Sequence, residues 1–208
     1  MQKAPISIRV IYILTSIVYY LTIFTSAFGL IFALGLLTGF WGDDVQLHTK
    51  MPFEVNVLET GEVMYLGREV KVELVQATGK FHFIDTPPFI ARIHAIPMFV
   101  IFPLMFWIVY LFHRFVRNVS EGRIFTEPNF KLLRMLGFSL GVLWIFAVVY
   151  MNVMKYIFFG ELNFNTVGFS SGGGNWFAGI LIGALFTLVL SHIFLQGLKL
   201  QEENELTI

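Results

Sequence analysis

The amino-acid sequence predicts a mainly α-helical membrane protein, a four-transmembrane-helix bundle with a small extracytoplasmic antiparallel β subdomain inserted between helices 1 and 2. Of the 208 residues, 56% are hydrophobic and only 13% are charged, whereas a soluble domain carries about 25% charged residues. Four long stretches contain no charged side chain at all. A polar segment between the first two stretches alternates apolar and polar residues, which is typical of strands.

The four charge-free stretches are each long enough to cross a bilayer, because a hydrocarbon core about 30 Å thick requires about 20 apolar residues in a helix. They cover residues 10–42, 93–113, 135–154 and 162–198. The last stretch begins with many Asn, Ser and Gly residues, so its helix is expected to start near Trp176. The predicted helices, in a single membrane domain covering 1–208, are 9–41, 90–117, 127–157 and 176–203.

A cleaved signal peptide is the alternative for the first stretch. Lys3 and Arg9 precede the apolar run, and 25–27 weakly resemble a cleavage site. The apolar run nevertheless continues to Phe40, whereas the core of a signal peptide uses about 7–15 residues. We therefore expect a membrane helix here.

The distribution of basic residues predicts that both termini are cytoplasmic. An even number of spans places 1–9, 114–134 and 199–208 on one side, and these segments hold eight Lys and Arg in 40 residues. The segments on the other side hold six in 71 residues. Since cytoplasmic segments carry the excess of Lys and Arg, we expect a multi-pass inner-membrane protein in a lipid bilayer. Trp41 and Trp176 then lie at the outer boundary, where indole rings favour the headgroup region.

The predicted β insert covers residues 43–89. Phe53, Val55 and Val57 alternate with polar neighbours, as expected for a half-buried strand. Turn-type residues at 59–61, 66–68 and 77–80 then predict a meander of three or four short strands.

So few residues bury too little apolar surface to be stable alone. The predicted sheet should therefore rest on the helices or on the loop at 158–175. Two roles stay open for it, a cap that shields the helix ends and a module that senses a ligand or partner.

Three polar residues in the predicted spans form a possible intramembrane site: Asn152, His192 and Gln196. His192 lies about 10 Å from the inner end of its helix at about 1.5 Å per residue. Ionisable side chains at such depth are candidates for a function. A neutral histidine that hydrogen-bonds to a neighbouring helix explains the same pattern.

Cofactor and catalytic chemistry find little basis in the composition. The absence of Cys excludes thiol nucleophiles, Fe–S clusters and Cys zinc sites. Haem would require a second histidine at the depth of His192, but His94 and His113 occupy the two ends of the second span. We therefore predict no catalytic, cofactor-binding or metal-binding residue and no enzymatic activity. Lys plus Arg and Asp plus Glu both number 14, so direct nucleic-acid binding is not expected.

Proline and glycine positions suggest how the helices bend and pack. Pro97 and Pro103 each remove a helical hydrogen bond, so the second helix is expected to bend. Small residues spaced four apart allow close approach of helix backbones, either within one chain or in a dimer, and the oligomeric state stays open. These glycines are Gly35 and Gly39, Gly137 and Gly141, and Gly179 and Gly183.

The cytoplasmic connection between helices 2 and 3 has clear boundary signals. Gly122 should end helix 2, Thr126 can cap helix 3, and Pro128 is tolerated in a first turn. Basic residues accumulate here, whereas the end of helix 4 is acidic, which opposes its helix dipole.

An intramolecular latch between these two segments would compensate the charges, each exposed pair contributing at most about 1 kcal/mol. A docking surface for another protein is the alternative use of the same residues. The residues concerned are Arg114, Arg117, Arg123 and Arg134, opposite Glu202, Glu203 and Glu205.

Two segments of the second half carry a family resemblance. They are NVSEGRIFTEPNFKLLRMLG at 118–137 and FLQGLKLQEENELTI at 194–208. Both resemble the bacterial membrane proteins of the domain of unknown function 2975, which include YoaS-like proteins, and the four-span layout fits too. The resemblance implies a bacterial inner (plasma) membrane protein that belongs with a small helix-turn-helix regulator. It implies no activity and no catalytic residue.

The sequence as a whole predicts a polytopic membrane protein that acts by protein contact as a regulatory, sensing or envelope-protective component. Its partner would be a small transcriptional regulator or an envelope protein. The alternative is a small transporter or channel-like protein with a polar path near Asn152 and His192.

Overall fold

The computed structural model describes the backbone of residues 5–42, 46–65, 68–83, 86–159, 168–171 and 177–206. Side chains are described in the same ranges except at 47–70, 72–83, 155, 158–159, 168–171 and 204–206. Trp176 and the side chain of Glu205 therefore lie outside the described residues.

Four long apolar helices dominate the structure. They are α1 (Ile6–Thr38), α2 (Pro88–Ser120), α3 (Glu127–Phe159) and α4 (Ala178–Leu206). Each is long and apolar enough to cross a membrane, so the prediction of four spans is confirmed. The helix ends lie within three residues of those expected from the sequence. Many large apolar side chains on the outer faces are exposed, as expected where a helix faces lipid.

The described helices make their extensive interfaces in chain order: α1 with α2, α2 with α3, and α3 with α4. Between α1 and α2 the imidazole of His113 is stacked by two tyrosine rings, with centroids 5.5 Å away for Tyr12 and 4.8 Å for Tyr19. Between α2 and α3 a buried cluster is formed by Ile108, Leu111, Leu132 and Leu136. Because α1 and α4 share no comparable interface, the helices form an open row.

Helix α2 continues without interruption through Pro97 and Pro103. Near the second proline, the hydroxyl of Ser26 on α1 donates a hydrogen bond of 3.4 Å to the carbonyl of Phe102. Such bonds hold helices together in lipid, where a free polar group is costly. The predicted bend of this helix stays a prediction.

Two of the glycines predicted to allow close packing do so within the chain. A Cβ atom at Gly137 would lie 2.7 Å from Leu188 Cγ and 3.2 Å from the Ala184 carbonyl oxygen on α4. A Cβ atom at Gly35 would collide with the ring of Trp41, which folds back over the end of α1. The positions of Gly141, Gly179 and Gly183 have no such neighbour within 4 Å, and Gly39 lies just beyond α1 with φ of +72°.

We expect Gly137→Ala to weaken the contact between α3 and α4, because Leu188 and the backbone of Ala184 would have to move. Overpacking of this kind costs about 1–3 kcal/mol. The midpoint of thermal unfolding in mild detergent should fall accordingly. Gly141→Ala, one helical turn away in open space, is the matched control. Equal midpoints for the two variants would contradict this packing contact.

The segment between α1 and α2 forms two long strands, β1 (Leu47–Tyr65) and β2 (Arg68–Phe83). They pair antiparallel from Leu47 opposite Phe83 to Tyr65 opposite Arg68. A short third strand, β3 (Gly168–Ser171), pairs with the other edge of β1, giving the order β2-β1-β3. Strand β1 also contacts α3.

The predicted meander of three or four short strands within this segment was wrong, because only the reversal near 66–68 separates two strands. Gly61 remains within the ladder opposite Val72. Gly79 falls beside one of two register shifts, where an irregularity absorbs the extra residues without ending the strand. Of the strand side chains only Lys71 is described. A β subdomain with its own packing, on the extracytoplasmic side, therefore stays a prediction.

Candidate functional site

The cytoplasmic candidate site is the turn between α2 and α3. The backbone N–H of Glu121 donates to the Arg117 carbonyl at 3.0 Å and thereby closes the last turn of α2. Gly122 then adopts φ of +83°, in the left-handed region where glycine carries no steric penalty. Helix α3 begins at Glu127, directly after Thr126, with Pro128 in its first turn. The chain can therefore reverse within six residues.

Asparagine side chains brace this turn from inside. Asn129 is fully buried, and its amide nitrogen donates to the carbonyls of Arg123 at 2.6 Å and Ile124 at 2.8 Å. Its amide oxygen accepts a bond of 2.8 Å from Asn118 Nδ2. Arg123 Nη2 in turn donates to Asn118 Oδ1 at 3.1 Å. We call Asn118, Glu121, Arg123 and Asn129 the turn network.

Ion pairs complete the turn network on its exposed side. Arg117 Nε lies 3.0 Å from Glu121 Oε1, and Arg123 pairs with the other oxygen of the same carboxylate. The hydrogen bond from Arg117 holds the pKa of Glu121 below its usual range, and the charge of Arg123 lowers it further. On α3, Lys131 Nζ pairs with Glu127 Oε1 at 2.6 Å. Exposed pairs contribute little stability, but together they fix the positions of the cations.

The turn also contacts α4 through an aromatic ring. Phe125 lies against Gly197, where a Cβ atom would be only 2.6 Å from its Cδ1. The ring of Phe194 lies 5.3 Å from that of Phe125 and 5.6 Å from that of Phe115, centroid to centroid. Gly197 therefore provides the gap into which the turn inserts its ring.

The basic residues predicted for a latch have other partners in the structure. Arg117 and Arg123 pair with Glu121, as described above. Arg114 Nη1 donates to the hydroxyl of Tyr110 at 3.2 Å, and the Arg134 guanidinium lies 5.7 Å from the ring centre of Phe138.

The acidic side of that latch is only partly described. Glu202 and Glu203 are exposed. The side chain of Glu205 is outside the described residues. The turn and the end of α4 do meet, but the contact seen is aromatic packing, and an ionic latch stays a prediction.

The residues of the predicted intramembrane site are not brought together. Asn152, His192 and Gln196 are all exposed, and the Asn152 amide donates to the Val148 carbonyl of its own helix at 2.7 Å. Asn152 lies seven residues from the end of α3 and His192 fourteen from the start of α4, about 10 Å and 21 Å along antiparallel helices. A transport path through them stays a prediction.

A family model described as Protein of unknown function (DUF2975) matches residues 71–208, about two thirds of the chain. The chain belongs to this family. The DUF2975 match covers α2, α3, α4 and the whole turn network, which confirms the resemblance drawn from the sequence. Comparison with curated proteins and with solved structures gave no match.

Three residues of this DUF2975 chain were not recognised as important from the sequence: Asn129, Phe125 and Gly197. All three lie in the two segments that carry the family resemblance. Asn129 follows Pro128 in the first turn of α3, a position where an asparagine can bond back to the preceding loop. Gly197 lacks the repeat spacing of the other helix glycines, so only the structure reveals its contact with Phe125.

The arrangement is suited to recognition. The turn network holds Arg117 and Arg123 in fixed positions, and their side chains are 61% and 58% exposed. Ile124 at the tip is 41% exposed although it is apolar. Within the described part of the chain, no group of three His, Cys, Asp or Glu side chains could hold a metal ion.

Proposed function

We propose that this membrane protein acts by binding another protein through the cytoplasmic turn, as a regulatory or envelope-protective component. The contact surface consists of Ile124 at its centre, with Arg117, Arg123 and Lys131 around it. The observation that carries the proposal is the half-exposed Ile124 at the tip of a turn fixed by buried hydrogen bonds.

The composition of the contact surface fits a protein partner. Protein interfaces are enriched in arginine around an apolar centre. Residues 114–134 carry five Lys or Arg and two Glu, a net charge of +3. Because opposite potentials steer association, the partner should present an acidic surface with an apolar pocket. The family resemblance favours a small helix-turn-helix regulator as that partner.

The orientation in the membrane is part of the proposal. The excess of Lys and Arg in the segments beside the termini places those segments and the turn in the cytoplasm of a bacterial cell. The sheet of β1, β2 and β3 connects to the opposite helix ends and then forms an extracytoplasmic β subdomain. The contact surface and the sheet thus face different compartments, which suits a protein that relays a condition of the envelope to a cytoplasmic partner.

We expect Ile124→Asp to weaken partner binding by about 2 kcal/mol, or about thirtyfold in Kd, because it places a charge at the apolar centre. The measurement uses a photoreactive amino acid at Lys131 in native membranes, with the adduct identified by mass. The full-length protein should give one main protein adduct, which the variant loses.

The matched control is Leu200→Asp, a similarly exposed apolar residue near the end of α4. This control should keep the adduct. The proposal fails if residue 131 crosslinks only to lipid or to a second copy of the chain, or if both variants lose the adduct equally.

A further inference from the structure

All four helices line an apolar cleft between α1 and α4 with a volume of about 380 Å³. It opens sideways, because α1 and α4 are separated while α2 and α3 form its floor. Its walls include Leu14, Val18, Phe112, Leu136, Leu140 and Thr187.

The cleft offers nothing to water. Its lining contains two hydroxyl groups, those of Thr15 and Thr187. Thr15 Oγ1 donates to the Tyr12 carbonyl at 3.0 Å, and Thr187 Oγ1 to the Gly183 carbonyl at 2.7 Å. Both are thus engaged by their own helices. A water molecule needs about two to four polar partners to enter such a space, so the cleft excludes water.

The depth of the cleft places it beside lipid tails. Leu14 and Phe112 each lie eight residues from the helix ends near the cytoplasmic turn, and Leu140 lies thirteen residues from the start of α3. At about 1.5 Å per residue these positions are about 12–20 Å along the helices. The cleft is therefore continuous with the lipid-facing surface of the four spans.

We propose that the cleft binds one acyl chain of a membrane phospholipid, held between α1 and α4. The volume decides between this occupant and a helix of a second copy. A helix with side chains is about 10–12 Å across, or at least about 80 Å² in section, so the cleft would hold less than one turn. A linear chain of methylene groups fits the same space and meets only apolar walls. Its burial would link α1 to α4.

The first experiment uses the full-length protein in phosphatidylcholine vesicles that contain a phospholipid with a diazirine on one acyl chain. After illumination, the labelled residues are identified by mass spectrometry of peptides. We expect labelling of Val18, Leu136 and Leu140 at least fivefold above that of Val142 and Ile145. Val142 and Ile145 are exposed on α3 and report ordinary surrounding lipid.

The second experiment fills the cleft with Leu140→Trp and compares it with Val142→Trp on the same helix. The first variant should reduce labelling of Val18 at least fivefold, and the second should leave it unchanged. If Leu140→Trp does not insert, native mass spectrometry of the unmodified protein after detergent washing replaces it, with one retained phospholipid per chain expected. Even labelling of cleft and surface, complete loss of lipid on washing, or crosslinks between two chains through the cleft would overturn the proposal.

Discussion

Asn129→Ala is expected to destabilise the protein more than any other single substitution in the cytoplasmic turn. The substitution leaves the carbonyls of Arg123 and Ile124 and the amide of Asn118 without the partner that now bonds to all three. A buried polar group that loses its hydrogen bond costs about 1–3 kcal/mol. Since Asn129 is fully buried, we expect a total loss of about 3 kcal/mol.

The midpoint of thermal unfolding in mild detergent measures this loss. Asn152→Ala is the matched control, because it removes the same side chain from an exposed position of the same helix. Surface substitutions of that kind usually stay within about 0.5 kcal/mol. Similar midpoints for both variants would show that the turn network adds no stability.

Gly197→Leu is expected to expel Phe125 from its site on α4. Even a Cβ atom at this position would lie 2.6 Å from the ring, and the ring is also in contact with Phe194. The overpacking should cost about 1–3 kcal/mol. Because Ile124 precedes the displaced ring, the adduct from a photoreactive group at Lys131 should be lost as well.

Gly183→Leu on the same helix provides the control, since its Cβ position has no neighbour within 4 Å. Phe125→Ala should partly rescue Gly197→Leu, because it removes the ring that the larger side chain meets. The coupling energy between the two substitutions should lie within the range of about 0.5–3 kcal/mol seen for residues in contact. Additive effects, or equal effects of the two glycine variants, would rule out this contact.

The four helices were predictable because the bilayer sets their length and excludes charges from it. Strand number was not, since glycine and polar residues occur both in turns and at irregularities within a strand. Gly61 illustrates this, being paired opposite Val72. The fate of such residues depends on pairing with a distant strand rather than on local propensity.

The partners of the arginines could not be predicted from charge balance alone. Arg117 lies four residues before Glu121 on a continuous helix, so this pair forms at little entropic cost. Pairing with Glu202 or Glu203 would require ordering the end of another helix. Local pairs therefore have the advantage, and the contact between the turn and α4 is left to Phe125 and Gly197.

The measurement that tests the account most directly is the accessibility of single cysteines, since the natural sequence contains none. Lys71→Cys on β2, Ile124→Cys in the turn and Glu203→Cys on α4 are exposed positions. With a membrane-impermeant maleimide, the first should react only in spheroplasts and the other two only in inverted vesicles. Reaction of residues 71 and 124 from the same side, or of 124 and 203 from opposite sides, would contradict the four-span arrangement.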